Sequence, residues 1–457
     1  MASSSLENLC QFASQLELGE VDPSIISHAR LVFVDTVGVI TAGSTSDEVS
    51  KLLVQLSGKD ESGESSCLGL SQKISPLVAS LVNGISGSSL EFEEGNSWAM
   101  GHPAIQMVPA ILAACEKRKS SGEELLAALI GGYESAARVS RASSLRKGLH
   151  PAGTWGTVGA ALGVGRVYRR TAEELHKIAN ISASFAITPY VKNSFVGMNV
   201  ASTFAGVTNY FGILSNIFFD CGIRADEASL RMTFSRFLSD GFQEESLDKG
   251  LGKEYFISAN YFKPYPSCRF THSSIDALKE VLQKSFFGPN EVEKIRVETF
   301  QAAMHCDTKA PFNKEAIRFS IPYLCALLIL YGDVSLGTME RVSIDDPPLK
   351  ALAEKVEMVL LPKYEELRPN YNPTRVIVQL RDGKTFSHEV KDALGSQLNR
   401  FGEEAVFKKF ISLTSPIIGR DRAEIFLERC SQLEKEENMD RLIRLLCPIE
   451  GENRKAG

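Results

Sequence analysis

Two histidines lie in the same local setting, each followed by proline and then by an apolar, helix-like segment. The first is His102, which follows three carboxylates, Glu91, Glu93 and Glu94, in LEFEEGNSWAMGHP. The second is His150, in GLHPAGTWG. Histidine titrates near neutral pH, so a histidine held on a turn beside carboxylates suits general acid–base catalysis. The alternative for each is a capped helix start, with a solvated acidic loop before the first.

A lysine is the next candidate for chemistry. Lys192 lies in PYVKNSFVG, which interrupts a run of helical periodicity. A lysine in such a break can serve as a cation that holds an anionic substrate; the alternative is an ordinary surface lysine.

Composition narrows the classes of protein that these residues could serve. The 457 residues allow two or three domains, and a net charge of −6 gives no electrostatic footprint for nucleic acid. We expect no apolar run long enough to cross a bilayer, and the N-terminus lacks the basic and apolar regions of a secretory signal. Nine scattered cysteines without a CxxC pair predict reduced thiols in a cytoplasmic protein, with neither a zinc site nor a redox motif.

The elements that must position these residues are mostly helices. Apolar residues at helical spacing predict helices at 24–43, 75–90, 122–139, 171–187, 199–214, 273–284, 314–331 and from 403 onward, ending in a charged tail. Alternation predicts a strand at 292–300 and a hairpin at 373–390 around Asp382-Gly383. The sequence therefore predicts a strand-containing unit inserted into an otherwise helical protein. The pair Gly163 and Gly165 lies inside helical periodicity, which favours close helix packing over a dinucleotide-binding turn.

Five motifs, in this order along nearly the whole chain, resemble the MmgE/PrpD family. That family includes 2-methylcitrate dehydratase, cis-aconitate decarboxylase and iminodisuccinate epimerase. The motifs are LVFVDTVG at 31–38, the acidic stretch ending in Gly101-His102-Pro103, His150-Pro151 before GTVGAA, Lys263-x-Tyr265-Pro266-x-Cys268-x-x-x-His272, and Glu315-Ala316 through Phe319-Ser320-Ile321-Pro322-Tyr323.

The resemblance implies a mainly α fold. Residues 1–258 and 395–457 would form one large all-helical domain, and 259–394 an inserted α+β lid domain. It also implies a homodimer, and catalysis with no metal and no organic cofactor.

The resemblance also assigns roles to residues. By motif, His102 and His150 would be the acid–base histidines, and Glu91 takes the place of the family's first aspartate. Lys192 would face the substrate, and Lys263 and His272 would come from the start of the lid.

The chain departs from the family at three places. Cys268 stands where the decarboxylase has a second histidine, and a tyrosine of the decarboxylase has no match near Met304-His305-Cys306. Glu-Phe-Glu-Glu-Gly-Asn stands where many relatives have Asp-Phe-Asp-Asp-Thr. The first two departures count against cis-aconitate decarboxylation. The Cys268 thiol could transfer a proton, as thiols do in cofactor-independent racemases; otherwise it is a small buried hydrophobe.

The sequence thus predicts a lyase of the dehydratase type that abstracts an α-proton from a small di- or tricarboxylic acid. A base near neutral pKa and cations for the carboxylates are required, and Lys192, Lys263 and Arg269 could supply the cations, Arg269 in a bidentate grip. An epimerase of a substituted succinate and a cis-aconitate-type decarboxylase are the alternatives. A catalytically silent member that binds a carboxylate metabolite is a rival of another class. We expect no nucleic-acid or membrane partner.

Overall fold

The structure is a computed structural model that describes residues 3–56 and 63–448. The end of the predicted charged tail, at 449–457, lies outside these residues. The chain divides into two compact units. Unit 1 takes the described residues of 1–190, 202–260 and 402–457, and unit 2 takes 191–201 and 261–401. The sequence predicted instead that 191–201 belong to the helical domain and that the inserted domain ends at 394.

Helices make up most of the chain, as predicted. They are Ser5–Gln15 (α1), Pro23–Gly43 (α2), Asp47–Leu56 (α3), Pro76–Ser88 (α4), Val108–Arg118 (α5), Gly122–Ala142 (α6), Gly156–Val167 (α7), Ala172–Ala183 (α8), Lys192–Phe195 (α9), Thr203–Asp220 (α10), Ser229–Met232 (α11), His272–Lys284 (α12), Lys314–Ile317 (α13), Ile321–Tyr331 (α14), Leu336–Arg341 (α15), Pro347–Ala353 (α16), Pro362–Glu365 (α17), Glu403–Ile418 (α18), Arg420–Cys430 (α19) and Met439–Ile443 (α20).

The strands are short except in unit 2. They are Ser65–Ser66 (β1), Lys73–Ile74 (β2), Gly95–Asn96 (β3), Ser143–Leu145 (β4), Ser239–Phe242 (β5), Asn260–Tyr261 (β6), Val292–Thr299 (β7), Val356–Leu360 (β8), Thr374–Leu380 (β9) and Thr385–Val390 (β10).

Unit 1 is a helical assembly whose small residues allow close packing. Helix α6 packs on α7, α10 packs on α4 and α7, and α18 packs on α2. In α7, a Cβ at Gly163 would lie 2.6 Å from Ile111 Cδ1 of α5, and a Cβ at Gly165 would lie 2.4 Å from Leu175 Cδ2 of α8. The glycines of α7 therefore serve tight helix contact, as the sequence predicted. Thr171 caps α8 through the predicted box with Glu174.

Helix α2 corrects one expectation from the sequence. Its 21 residues are long and apolar enough, by length and composition alone, to cross a membrane, although we expected no such run. Of its most apolar window, 61% is buried inside the structure. It also carries the buried Asp35, which is paired with Lys409 of α18. Burial in unit 1 accounts for its composition, since a core helix of a globular unit needs the same residues.

Unit 2 contains a four-stranded sheet in the order β10-β9-β7-β8, with β7 and β8 parallel and the other pairs antiparallel. The predicted strand at 292–300 and the predicted hairpin at 373–390 are both present as β7 and β9–β10. The single helix predicted at 314–331 is wrong, because it is two helices. Ser320 caps the second one by accepting the Tyr323 N–H, and Pro322 occupies its first turn.

Candidate active site

The acidic segment and the first His-Pro turn come together in unit 1. One ligand atom each from Glu91, Glu93 and His102 lies within 4.8 Å of the others. Glu91 has a φ of 51°, a left-handed conformation that is costly for a residue with a Cβ. The turn therefore gathers two carboxylates around one imidazole, with backbone strain at the first of them.

A backbone carbonyl orients His102. Its Nδ1 lies 2.8 Å from the carbonyl oxygen of Glu94 and 3.8 Å from Glu93 Oε1. Because a carbonyl oxygen only accepts, Nδ1 carries the ring proton and donates a hydrogen bond to the backbone carbonyl of Glu94. In the neutral ring the lone pair is then on Nε2, which is the nitrogen able to accept a proton from a substrate. The nearby Glu93 carboxylate favours the imidazolium that would result.

Glu94 closes the loop that carries His102. Its Oε1 accepts the N–H of Ala104 at 2.8 Å, on the far side of the turn. Its Oε2 accepts from the Tyr133 hydroxyl at 3.1 Å and from Asn260 Nδ2 at 3.3 Å. Burial raises the pKa of Glu94 to about 8, against the effect of these donors. The side chain and the carbonyl of one residue thus hold both the loop and the imidazole.

A buried ion pair holds the other end of the acidic segment. Lys409 Nζ donates to Asp35 Oδ1 and to the carbonyl of Phe92, each at 2.7 Å. The same ammonium group lies 4.0 Å from the centre of the Phe92 ring. Phe92 stands between Glu91 and Glu93, so this pair fixes the backbone from which both carboxylates project.

The second His-Pro turn presents its imidazole in the opposite tautomer. The Ala152 N–H donates to His150 Nδ1 at 3.1 Å, so Nδ1 is the acceptor and the neutral ring carries its proton on Nε2. The backbone N–H of His150 donates to the carbonyl of Pro189 at 2.8 Å, which anchors the turn.

His150 stays neutral well below neutral pH. Burial lowers the pKa of His150 to about 4, and the charge on a protonated His102 adds to the effect, while Glu91 opposes it. Neighbouring charges act on a pKa only at short range, which agrees with packing of the two turns against each other. A Cβ at Gly101 would lie 3.2 Å from Pro151 Cβ and 2.8 Å from Trp155 Cζ2.

The remaining predicted site residues belong to unit 2. Lys192 is exposed at the start of α9, and Lys263 is fully buried. Cys268 is buried within the hydrophobic cluster of unit 2, and its N–H donates to the carbonyl of Arg318. These surroundings favour the interpretation of Cys268 as a small buried hydrophobe.

Arg269 and His272 make contacts that fix the backbone of unit 2. Arg269 donates from its two terminal nitrogens to the carbonyls of Leu394 and Ala393, at 2.8 and 3.1 Å, and burial lowers its pKa. His272 Nε2 lies 3.1 Å from the carbonyl of Ser267, and its Nδ1 lies 3.4 Å from Arg269. These contacts favour structural roles, and substrate binding by both residues stays a prediction.

The structure therefore brings together three of the predicted catalytic residues, Glu91, His102 and His150, within unit 1. Among the described residues, Glu91, Glu93 and His102 also have the donor set and spacing that could hold a metal ion. The expected absence of a metal stays a prediction.

Sequence reasoning missed the supports of the site. Glu94 was seen only as one carboxylate of three, and Tyr133 and Asn260 carried no signal because their partners are distant in sequence. Asp35 stood in a quoted motif, but nothing near it indicated Lys409, which lies 374 residues away.

Comparison with known proteins gives two domain matches and several full-length relatives. Residues 7–208 match the MmgE/PrpD N-terminal domain, and residues 265–433 match the MmgE/PrpD C-terminal domain. A cis-aconitate decarboxylase of Aspergillus terreus is 21% identical over 473 residues, covering 96% of each chain. The Homo sapiens cis-aconitate decarboxylase is 22% identical over 467 residues, covering 98% of this chain and 95% of the relative. That of Mus musculus is 23% identical over 471 residues, covering 98% and 94%.

Proposed function

This chain belongs to the MmgE/PrpD family, and we propose that it is a lyase of the dehydratase type acting on a di- or tricarboxylic acid without a cofactor. The observation that carries the proposal is the pair of histidines with opposite tautomers. His102 offers a lone pair at Nε2, whereas His150 offers an N–H at Nε2. A base and a hydrogen-bond donor are the two groups needed for proton abstraction next to a carboxylate.

His102 acts as the general base in this proposal. Its Nε2 takes the proton from the carbon next to a carboxylate, and the imidazolium is stabilised by the Glu94 carbonyl and the Glu93 carboxylate. The C–H electron pair forms the new C=C bond as the C–O bond to the hydroxyl breaks. The imidazolium then returns its proton to the departing hydroxyl, which leaves as water.

His150 acts as a neutral donor. Because its pKa is about 4, the ring remains uncharged at neutral pH and its Nε2–H can stabilise negative charge on a substrate oxygen. A neutral imidazole forms no permanent ion pair with the bound substrate. Its hydrogen bond therefore strengthens as negative charge develops on the substrate oxygen in the transition state. The exposed Lys192 and the buried Lys263 stay predicted partners of the substrate carboxylates, with Glu91 as a third predicted catalytic group.

Decarboxylation is the second candidate, because the full-length relatives named above are cis-aconitate decarboxylases. In that reaction the C–C bond to a carboxylate breaks, CO2 leaves, and the carbanion takes a proton from an acid. His102 would then have to start protonated, whereas dehydration needs it neutral. The two reactions therefore predict opposite limbs of the pH–rate profile: activity rises with pH for dehydration and falls with pH for decarboxylation.

Proton NMR of the enzyme in D2O tests the proposal. The substrates are methylcitrate, citrate, cis-aconitate, and amino- and thio-substituted succinates. We expect vinyl signals to grow as a hydroxyl-bearing substrate is lost, and His102→Asn and His150→Asn to abolish them. His176→Asn, on the partly exposed face of α8, is the matched control and should retain activity.

The other outcomes of this experiment assign other functions. Consumption of cis-aconitate with release of CO2 would replace dehydration by decarboxylation. Deuterium entering the α-position without net product would indicate an epimerase. Retained turnover in His102→Asn would contradict the proposed base, and silence across the panel would favour the carboxylate-binding protein.

Assembly and location complete the proposal. We propose a homodimer from the family resemblance, which light scattering of the purified protein tests. All nine cysteines are free thiols in the structure, which supports the proposed reducing, cytoplasmic location.

A further inference from the structure

One buried amide joins the two His-Pro turns. Gln106 follows the first turn and is fully buried. Its Nε2 donates to the backbone carbonyl of His102 at 3.1 Å, and its Oε1 accepts the N–H of Gly153 at 3.1 Å. Gly153 lies three residues after His150. The side chain therefore links the backbone of one histidine directly to the turn that carries the other.

The surroundings of Gln106 hold this link in a single orientation. The Thr208 hydroxyl of α10 shares its proton between the carbonyls of Ala205, at 2.7 Å, and Gln106, at 3.1 Å, so α10 contacts the main chain of Gln106. At the start of α7, a Cβ on Gly156 would overlap the Gln106 amide, so α7 packs directly against it. The amide cannot rotate without breaking its bonds to the partly buried His102 carbonyl and the buried Gly153 N–H.

The chemistry of the link specifies an amide. One partner is a carbonyl, which needs a donor, and the other is an N–H, which needs an acceptor. Among side chains of this length, only glutamine offers both in a neutral form at neutral pH. Glutamate, when ionised, would lose the donor, and methionine would lose both groups.

We propose that Gln106 is a positioning residue that sets the spacing between the His102 and His150 imidazoles and thereby controls kcat. The inference rests on the proposed function, since it names a residue that acts through both histidines of that site. Proton transfer depends steeply on geometry, and a misplacement of about 1 Å costs on the order of 100-fold in rate.

The test compares Gln106 with an amide that makes the same two bonds elsewhere. Asn83 of α4 is buried, donates to the carbonyl of Ser66 at 2.9 Å and accepts the N–H of Leu68 at 2.9 Å. The variants are Gln106→Met and Asn83→Leu, which remove both bonds with little change in volume. A purely structural role predicts that the two variants behave alike.

We expect both variants to lose stability, but only Gln106→Met to lose kcat, by roughly 10- to 100-fold, with KM little changed. If the apolar variants do not fold, Gln106→Glu and Asn83→Asp replace them in the comparison. The carboxylate in Gln106→Glu still accepts the Gly153 N–H and loses only the donor. Equal kcat values in the two folded variants of either pair would overturn the proposal.

A second readout separates this inference from the proposed function. Histidine carbon-13 labelling at Cε1 reports the His102 and His150 rings by NMR without any substrate. We expect both signals to shift in Gln106→Met and to remain in place in Asn83→Leu. If the wild-type enzyme is silent on every substrate but these shifts occur, the proposed function fails and the positioning role stands. Unmoved signals in folded Gln106→Met would overturn the positioning role.

Discussion

The different roles proposed for His102 and His150 depend on His150 remaining neutral. Burial, supported by the charge of His102, lowers the pKa of His150 from 6.5 to about 4. That shift corresponds to about 3 kcal/mol of preference for the neutral ring, and less to the extent that water reaches this half-buried side chain. The preference should appear both in the titration of the ring and in the pH dependence of stability.

The sign of the stability effect follows from where the proton binds. As the pH falls below 6.5, the unfolded chain protonates His150, but the native state does so only near pH 4. Through His150 the unfolded state therefore binds more protons in that window, so the contribution of His150 to the free energy of unfolding decreases as the pH is lowered from 6.5 to 4. Above pH 6.5 the contribution is constant. We expect His150→Gln to lack this component of the slope.

Two charge-removing variants should shift the titration in opposite directions. His102→Asn removes the positive charge that opposes protonation of His150, so its pKa should rise but remain below 6.5, because burial is the larger cause. Glu91→Gln removes a carboxylate that favours protonation, so the pKa should fall further. Each change in pKa should be smaller than the shift that burial causes, because burial has the largest of the three effects on this pKa.

The assay is NMR titration of protein labelled with carbon-13 at histidine Cε1, in which loss of the His150 signal in His150→Gln assigns the resonance. Urea denaturation at several pH values between 4 and 7 gives the matching stability curve. A wild-type His150 that titrates near 6.5 would refute the reasoning, as would shifts of the same sign in His102→Asn and Glu91→Gln.

Two further predictions concern the supports of the acidic segment. Lys409→Met leaves Asp35 buried without its cation and should lower the free energy of unfolding by about 3–5 kcal/mol in urea denaturation. The control is Lys408→Met, at an exposed pair with Glu404, which should change stability little. Equal losses of stability in the two variants would contradict the burial argument. Glu94→Gln removes an acid that the native state keeps protonated between pH 4.5 and about 8 while the unfolded chain ionises. The contribution of Glu94 to stability should therefore fall as the pH rises through this window, opposite in sign to that of His150, and Glu94→Gln should lose this component of the slope; equal slopes in the wild type and Glu94→Gln between pH 6.5 and 8, where the His150 contribution is constant, would show that Glu94 is ionised.

Elements with a strong local signal were predictable from the sequence. The cap of α8, the strand β7 and the β9–β10 hairpin each depend on residues within one segment, so periodicity and turn chemistry were sufficient. The break between α13 and α14 was missed. Ser320 and Pro322 do signal the start of a helix there, but they lie within a segment that is apolar enough to resemble one continuous helix. The length of the apolar stretch in helix α2 was underestimated from the sequence, because Asp35 interrupts the run of apolar residues.

The two candidate histidines were visible in the sequence because each stands on a His-Pro turn before a helix. Their protonation roles were not. Those roles depend on which nitrogen meets the Glu94 carbonyl and which meets the Ala152 N–H, and rotamers and backbone orientation decide that only in the folded chain.

The sequence alone thus determined the family, the mainly α fold, and a short set of titratable residues, because these are written in local patterns and motif order. The tertiary structure decided which histidine can accept a proton and which stays neutral. It also decided that Gln106, Glu94 and Lys409 support the site. The physical reason is that desolvation and hydrogen bonding act through space, between segments as far apart as Asp35 and Lys409, and no local pattern records which groups will meet.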